Sequence, residues 1–196
     1  MNYNYAEFLE RSVSRADSVV VQDNFLNKNY FKKLQDEILG ISFPWYVSGI
    51  SNLSSKYGRT APSCYQIVHS IYAYPEHTPV SGFYEKLGPL FDALDLLVPL
   101  RIKINLLKQE EKITEGGMHI DVPNAPENAL TSILYMNTNN GYTKFETGEK
   151  VESVANRLVT FPNNIEHTGT TNNCDAIYRC VMNIDWIKKL NNGEIK

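Results

Sequence analysis

Two spacings of apolar residues divide the chain. In the first half, Tyr30, Phe31, Leu34, Ile38 and Leu39 follow Asn27 at helical intervals, and Phe83, Leu87, Leu90, Phe91 and Leu94 do the same between Ser81 and Leu97. Asn27 can cap the first helix, Gly40 stops it, and Pro89 marks a kink or a break in the second. Beyond Pro99 the period falls to that of a strand. Ile102, Ile104 and Leu106 alternate with Arg101, Lys103 and Asn105, while Tyr178, Cys180, Met182, Ile184 and Trp186 alternate with Arg179, Val181 and Asn183.

Other strands are expected at 18–22, at 43–47 as the entry to an edge, and at 65–74, 131–135, 151–155, 157–161 and 165–168, where β-branched and aromatic residues concentrate. Asn137-Thr138-Asn139-Asn140-Gly141 predicts a hairpin, because Asn and Gly tolerate positive φ, and Thr147-Gly148-Glu149 predicts a second turn. Residues 1–16 show no clear period, and 51–59 read as a loop. Helices early and many short strands late imply a mainly β fold, a sandwich or jelly roll with helices laid outside. A length of 196 residues suits one domain, with 1–99 as N-terminal support and 100–187 as the core.

Composition narrows the class of partner. A net charge of −3 supplies no broad cationic field for a phosphate backbone, so no nucleic-acid partner is expected. Cys64, Cys174 and Cys180 form no CxxC pair and read as reduced thiols in a cytoplasmic protein. The first residues lack a basic stretch followed by an apolar one, and no apolar run reaches the length of a membrane span. The expected partner is therefore a small-molecule or peptide substrate.

The chemistry concentrates at Gly116-Gly117-Met118-His119-Ile120-Asp121. In an extended chain, His-x-Asp aims an imidazole and a carboxylate to one side, and the glycines leave room for close approach. His167 is the candidate third ligand. Two histidines and one carboxylate on one face of a metal leave open positions on the other, the arrangement of non-heme Fe(II) oxygenases. The plainer alternatives are a surface loop with a local His–Asp hydrogen bond and a solvated turn histidine. Arg179 is either exposed or turned into a cavity that holds an anion, for which a guanidinium offers two parallel hydrogen bonds. His69 in its strand reads as a packed residue, and His77 lies in a proline-flanked loop.

Taken together, the segments 101–107, His119-Ile120-Asp121, 132–137, 140–145, 156–162, His167-Thr168-Gly169 and 179–183 resemble the 2-oxoglutarate- and Fe(II)-dependent oxygenases. The likeness is to the prolyl-hydroxylase-like group, including small members from phages and marine bacteria. It implies a double-stranded β-helix, the cupin-like jelly roll. It also implies that His119, Asp121 and His167 hold Fe(II), that Arg179 binds the distal carboxylate of 2-oxoglutarate, and that the Tyr135 hydroxyl lies near that carboxylate. Asn105 and Asn183 would line the pocket. The implied reaction consumes O2 and 2-oxoglutarate, releases succinate and CO2, and hydroxylates a peptidyl proline or another side chain. Asp121 occupies the position a halogenase leaves free for halide. Two features depart from the pattern: Arg179 follows His167 by twelve residues, and Tyr142 stands where a second glycine is common. The polar turn at 170–175 is expected to absorb the extra length, and the segments 48–62 and 123–128 are candidate lids. The competing reading is a non-catalytic cupin-type module that binds a metal or a small ligand.

Overall fold

The computed structural model describes residues 19–49 and 65–189. In chain order the elements are β1 (Val20–Gln22), α1 (Lys28–Ile38), β2 (Tyr46–Gly49), β3 (Tyr65–Ala73), β4 (Thr78–Pro79), a 3₁₀ helix (Gly82–Leu87) and α2 (Gly88–Leu94). They continue as β5 (Leu96–Lys108), β6 (Ala129–Tyr135), β7 (Tyr142–Phe145), β8 (Lys150–Glu152), β9 (Leu158–Pro162), β10 (His167–Gly169) and β11 (Tyr178–Lys188). The segment 1–16, the loop at 51–59, Cys64 and most of the candidate lid at 48–62 lie outside the described residues.

Asn27 caps α1 as expected, its Oδ1 accepting from the Asn29 and Tyr30 amides at 3.0 and 3.4 Å. Phe31, Leu34 and Ile38 are the buried stripe of that helix. Pro89 stands in the first turn of α2, where a missing N–H costs nothing, so the second helical stretch is broken rather than kinked. Among the described residues no helix is long and apolar enough to cross a membrane.

The strands form two antiparallel sheets. The larger has eight strands in the order β1-β9-β6-β11-β5-β3-β2, with β4 beside β3; the smaller runs β10-β7-β8. Ile102, Ile104, Cys180, Met182, Ile184 and Trp186 face the helices and join Phe31, Leu34, Ile38, Leu87 and Leu90 in one apolar core. The opposite face contributes Ile133, Tyr135, Val159, Phe161 and Val181, which pack on Phe145, Val151 and Ile165 between the sheets. The alternation along β5 and β11 thus separates a helix-packed face from an inner one, the layout of a jelly roll.

Two expectations change. Asn137 to Gly141 is not a hairpin: β6 belongs to the larger sheet and β7 to the smaller, so the turn carries the chain across the sandwich. Its asparagines act through side chains, Asn137 donating to the Tyr178 carbonyl at 2.8 Å and accepting from the Cys180 amide at 2.9 Å. None of these five residues takes a positive φ, whereas Gly148 does, at 89°, in the true hairpin between β7 and β8. The second change is that β5 begins at Leu96, inside the stretch read as helix. Asp95, left-handed at φ 52°, ends α2 and turns the chain straight into the strand.

Candidate metal centre and anion pocket

The segment after β5 runs beside β10, and there His119 and His167 face each other as an isolated antiparallel pair. They exchange both backbone hydrogen bonds, at 3.0 and 3.1 Å. Residues locked in this way carry their side chains on the same face. The two imidazole centroids stand 4.8 Å apart. Gly116 permits the approach, because a Cβ there would meet Thr168 Oγ1 at 2.8 Å.

Asp121 completes the group, two residues beyond His119. Its Oδ1 lies 3.3 Å from His119 Nε2 and its Oδ2 3.6 Å from His167 Nε2. One potential ligand atom from each of the three residues falls within 4.8 Å of the others. Each ring also has a backbone carbonyl near Nδ1: Gly117 O at 3.0 Å for His119 and Ile165 O at 3.4 Å for His167. A proton held at Nδ1 leaves the Nε2 lone pair for a metal. Phe161, edge-on at 4.8 Å, packs beside the His167 ring.

Asp121 is held from the larger sheet. Asn183 Nδ2 donates to its Oδ2 at 3.0 Å. Arg101 Nη2 stands 2.6 Å from its Oδ1, an ion pair rather than an aligned hydrogen bond. Arg101 Nε in turn donates to Asp185 Oδ2 at 2.9 Å, and Asp185 Oδ1 accepts from Thr131 Oγ1 at 2.8 Å. Burial would raise the Asp121 carboxyl, but the Arg101 charge and the two imidazoles hold it well below the usual carboxylate range. Asp185 moves the other way: burial, then the charge of Asp121, pushes it up to about 6. His119 is depressed by burial, yet the hydrogen bond and charge of Asp121 outweigh that and raise it.

Arg179 forms a second locus. It is 1% exposed, and its Nε donates to Ser153 Oγ at 2.8 Å and its Nη2 to Thr143 Oγ1 at 3.1 Å. No carboxylate among the described residues pairs with it. Burial lowers its pKa. Tyr135 lies against it, the ring centroid 5.6 Å from Cζ and the hydroxyl 2.8 Å from the same Thr143 Oγ1. Gly141 is required here, since a Cβ would meet Arg179 Cδ at 2.7 Å and Thr171 O at 2.8 Å. The polar turn does absorb the longer spacing from His167, for Arg179 Nη1 reaches within 3.2 Å of where a Gly169 Cβ would stand. Thr143 and Gly169 are paired two positions along from the Phe145–His167 pair. At strand rise that is about 7 Å from the metal ligands.

The structure therefore brings His119, Asp121 and His167 together and places Tyr135 beside Arg179. Asn183 serves Asp121 through its Nδ2, while its Oδ1 and that of Asn105 are buried without a hydrogen-bond partner among the described residues. Tyr142, at the place of a common glycine, donates its hydroxyl to Glu115 Oε1 at 2.8 Å. His69 is packed between Phe43 and Phe83 and bonded to Pro44 O and Ser81 Oγ at 2.7 and 2.8 Å, as its sequence context suggested. Sequence reasoning missed Arg101, Asp185, Thr143 and Ser153. Only Arg101 left a signal, as a charge on the inward face of an alternating strand.

Two facing antiparallel sheets with flanking helices and a His-Asp-His cluster define a double-stranded β-helix of the kind found in 2-oxoglutarate oxygenases. No family model matches the sequence, and no curated protein matches it significantly, but solved structures do match its fold. An oxidoreductase of the 2OG-Fe(II) oxygenase family from Burkholderia pseudomallei superposes with a TM-score of 0.64 at 11% identity, over 91% of this chain and 93% of that one. The α-ketoglutarate-dependent epimerase SnoN of nogalamycin biosynthesis gives 0.62 at 12% identity, over 93% and 84%. A prolyl-4-hydroxylase from Pseudomonas putida gives 0.55 at 14% identity, over 88% and 94%.

Proposed function

We propose that the chain is an Fe(II)- and 2-oxoglutarate-dependent dioxygenase that hydroxylates its substrate with release of succinate and CO2. The observation that carries this reading is the pairing of two features. His119, Asp121 and His167 converge on one point, and a buried guanidinium with no carboxylate partner among the described residues waits two strand positions away. Both fit the groups this reading implies. Two neutral imidazoles and one carboxylate suit a ferrous ion. A buried, uncompensated arginine is costly unless an anion meets it, and a five-carbon diacid spans such a gap.

When bound, Fe(II) supplies a redox-active Lewis acid at which O2 and 2-oxoglutarate react to give succinate, CO2 and an oxidant for a substrate C–H bond. The protein's residues do the positioning. His119 and His167 present Nε2, their Nδ1 atoms anchored to backbone carbonyls. Arg101 and Asn183 fix the Asp121 carboxylate. Arg179, set by Ser153 and Thr143, receives the distal carboxylate, and Phe145 and Phe161 pack beside the His167 ring. The structural neighbours support the reading through their printed descriptions as 2OG-dependent oxygenases.

Purified protein given Fe(II), 2-oxoglutarate and O2 should form succinate, and Asp121→Ala should not. Metal binding without any 2-oxoglutarate binding or succinate would favour the non-catalytic cupin-type module instead.

A further inference from the structure

With Fe(II) and 2-oxoglutarate in place, one cation near the centre is left without a direct ion pair among the described residues. Asp121 and the dianionic co-substrate offset the metal and Arg179, and Arg101 faces Asp185. Lys103 remains. The register of the larger sheet sets it directly opposite Asn183 on β11 and Ser70 on β3, so it stands on the inner face beside the residue that holds Asp121. Opposed side chains of this kind have Cβ atoms about 5 Å apart. Lys103 is half-buried, and no hydrogen bond or ion pair joins it to any described residue.

Beside it lie two buried acceptors without donors among the described residues. Asn183 must turn Nδ2 toward Asp121, which leaves Oδ1 facing away, and that atom has no partner. Asn105 Oδ1, one inward position along β5, has none either. A buried acceptor left unmatched costs about 1–3 kcal/mol, so these atoms select for a ligand that brings N–H or O–H groups.

Resting on the oxygenase reading of the same site, we propose that the substrate is a small α-amino or α-hydroxy acid whose carboxylate pairs with Lys103 while its neighbouring N–H or O–H donates to Asn183 Oδ1 or Asn105 Oδ1. A prolyl residue inside a peptide has neither group, since its nitrogen carries no hydrogen and its carboxyl is an amide. Burial and the Arg101 charge lower the Lys103 ammonium from its ordinary value against the opposing pull of Asp121 and Asp185, and an incoming carboxylate relieves that cost.

The test uses the full chain loaded with Zn(II), which blocks turnover, and saturated with 2-oxoglutarate. Mixed L-α-amino acids, mixed α-hydroxy acids and the carboxamides of the same amino acids are screened by ligand-observed NMR, and hits are titrated. At least one acid should bind, its carboxamide at least about tenfold more weakly. Lys103→Met should erase that preference and Lys103→Arg should keep it, with 2-oxoglutarate affinity within about twofold of wild type in both. Carboxamides binding as tightly as acids, no acid binding at all, or a large loss of 2-oxoglutarate affinity in Lys103→Met would each overturn the proposal. Failure of wild type to bind 2-oxoglutarate with metal would instead sink the oxygenase reading beneath it.

Discussion

Replacing Arg179 with methionine should separate an anion receptor from a structural strut. In the free protein the guanidinium is 1% exposed, donates to two neutral hydroxyls at 2.8 and 3.1 Å, and has the Tyr135 ring 5.6 Å from its Cζ. Hydrogen bonds of a charged group contribute about 1.5–3 kcal/mol each, whereas withdrawing an unpaired ion from water costs several kcal/mol. The two nearly cancel, so Arg179→Met should leave the unfolding free energy of the ligand-free protein within about 2 kcal/mol of wild type. Binding behaves otherwise. Truncating one partner of a buried, hydrogen-bonded charge pair costs about 2–5 kcal/mol, roughly thirtyfold to several thousandfold in 2-oxoglutarate affinity. Urea unfolding of the ligand-free forms and 2-oxoglutarate titration of the metal-loaded forms give the two numbers. A variant that keeps 2-oxoglutarate affinity but loses more than about 4 kcal/mol of stability would refute the reasoning, because Arg179 would then be a strut.

Other outcomes follow from the same contacts. Asp185 has a folded pKa of about 6 against an ordinary value of 3.8, so the folded state binds its proton more tightly; its charge costs nothing below about pH 4 and is fully costly above about pH 7. Metal-free wild type should therefore lose up to about 3 kcal/mol relative to Asp185→Asn as pH rises through that window, read by urea unfolding. Gly141→Ala forces a Cβ to 2.7 Å from Arg179 Cδ and should cost about 1–3 kcal/mol while weakening 2-oxoglutarate binding. His69→Leu removes two hydrogen bonds remote from the metal ligands, and should cost about 1–2 kcal/mol with metal affinity unchanged.

What the sequence disclosed follows from what is local. Asn27 capping α1, the alternation of β5 and β11, and the His119-x-Asp121 spacing depend on residues a few positions apart, and periodicity records such relations. The Arg101–Asp185 contact joins positions 84 residues apart, and Asn183 reaches Asp121 across 62. Those pairings exist only through the register of strands that are not neighbours in sequence, which no local pattern encodes. The turn at 137–141 failed for a related reason. Asn and Gly signal a tight reversal, but whether the next strand joins the same sheet or the facing one is decided by the partners of β7, far along the chain. The sequence offers His167 as the third member of a two-histidine, one-carboxylate set, but the face it shares with His119 exists only through their backbone pairing.

The most direct test is an anaerobic titration of the metal-free protein with Fe(II) and then 2-oxoglutarate, followed in the visible spectrum. The account predicts one Fe(II) per chain, a metal-to-ligand absorption band that appears only when both are present, and no band in Asp121→Ala. A protein that binds 2-oxoglutarate equally well without metal, or an Asp121→Ala variant with an unchanged band, would contradict it.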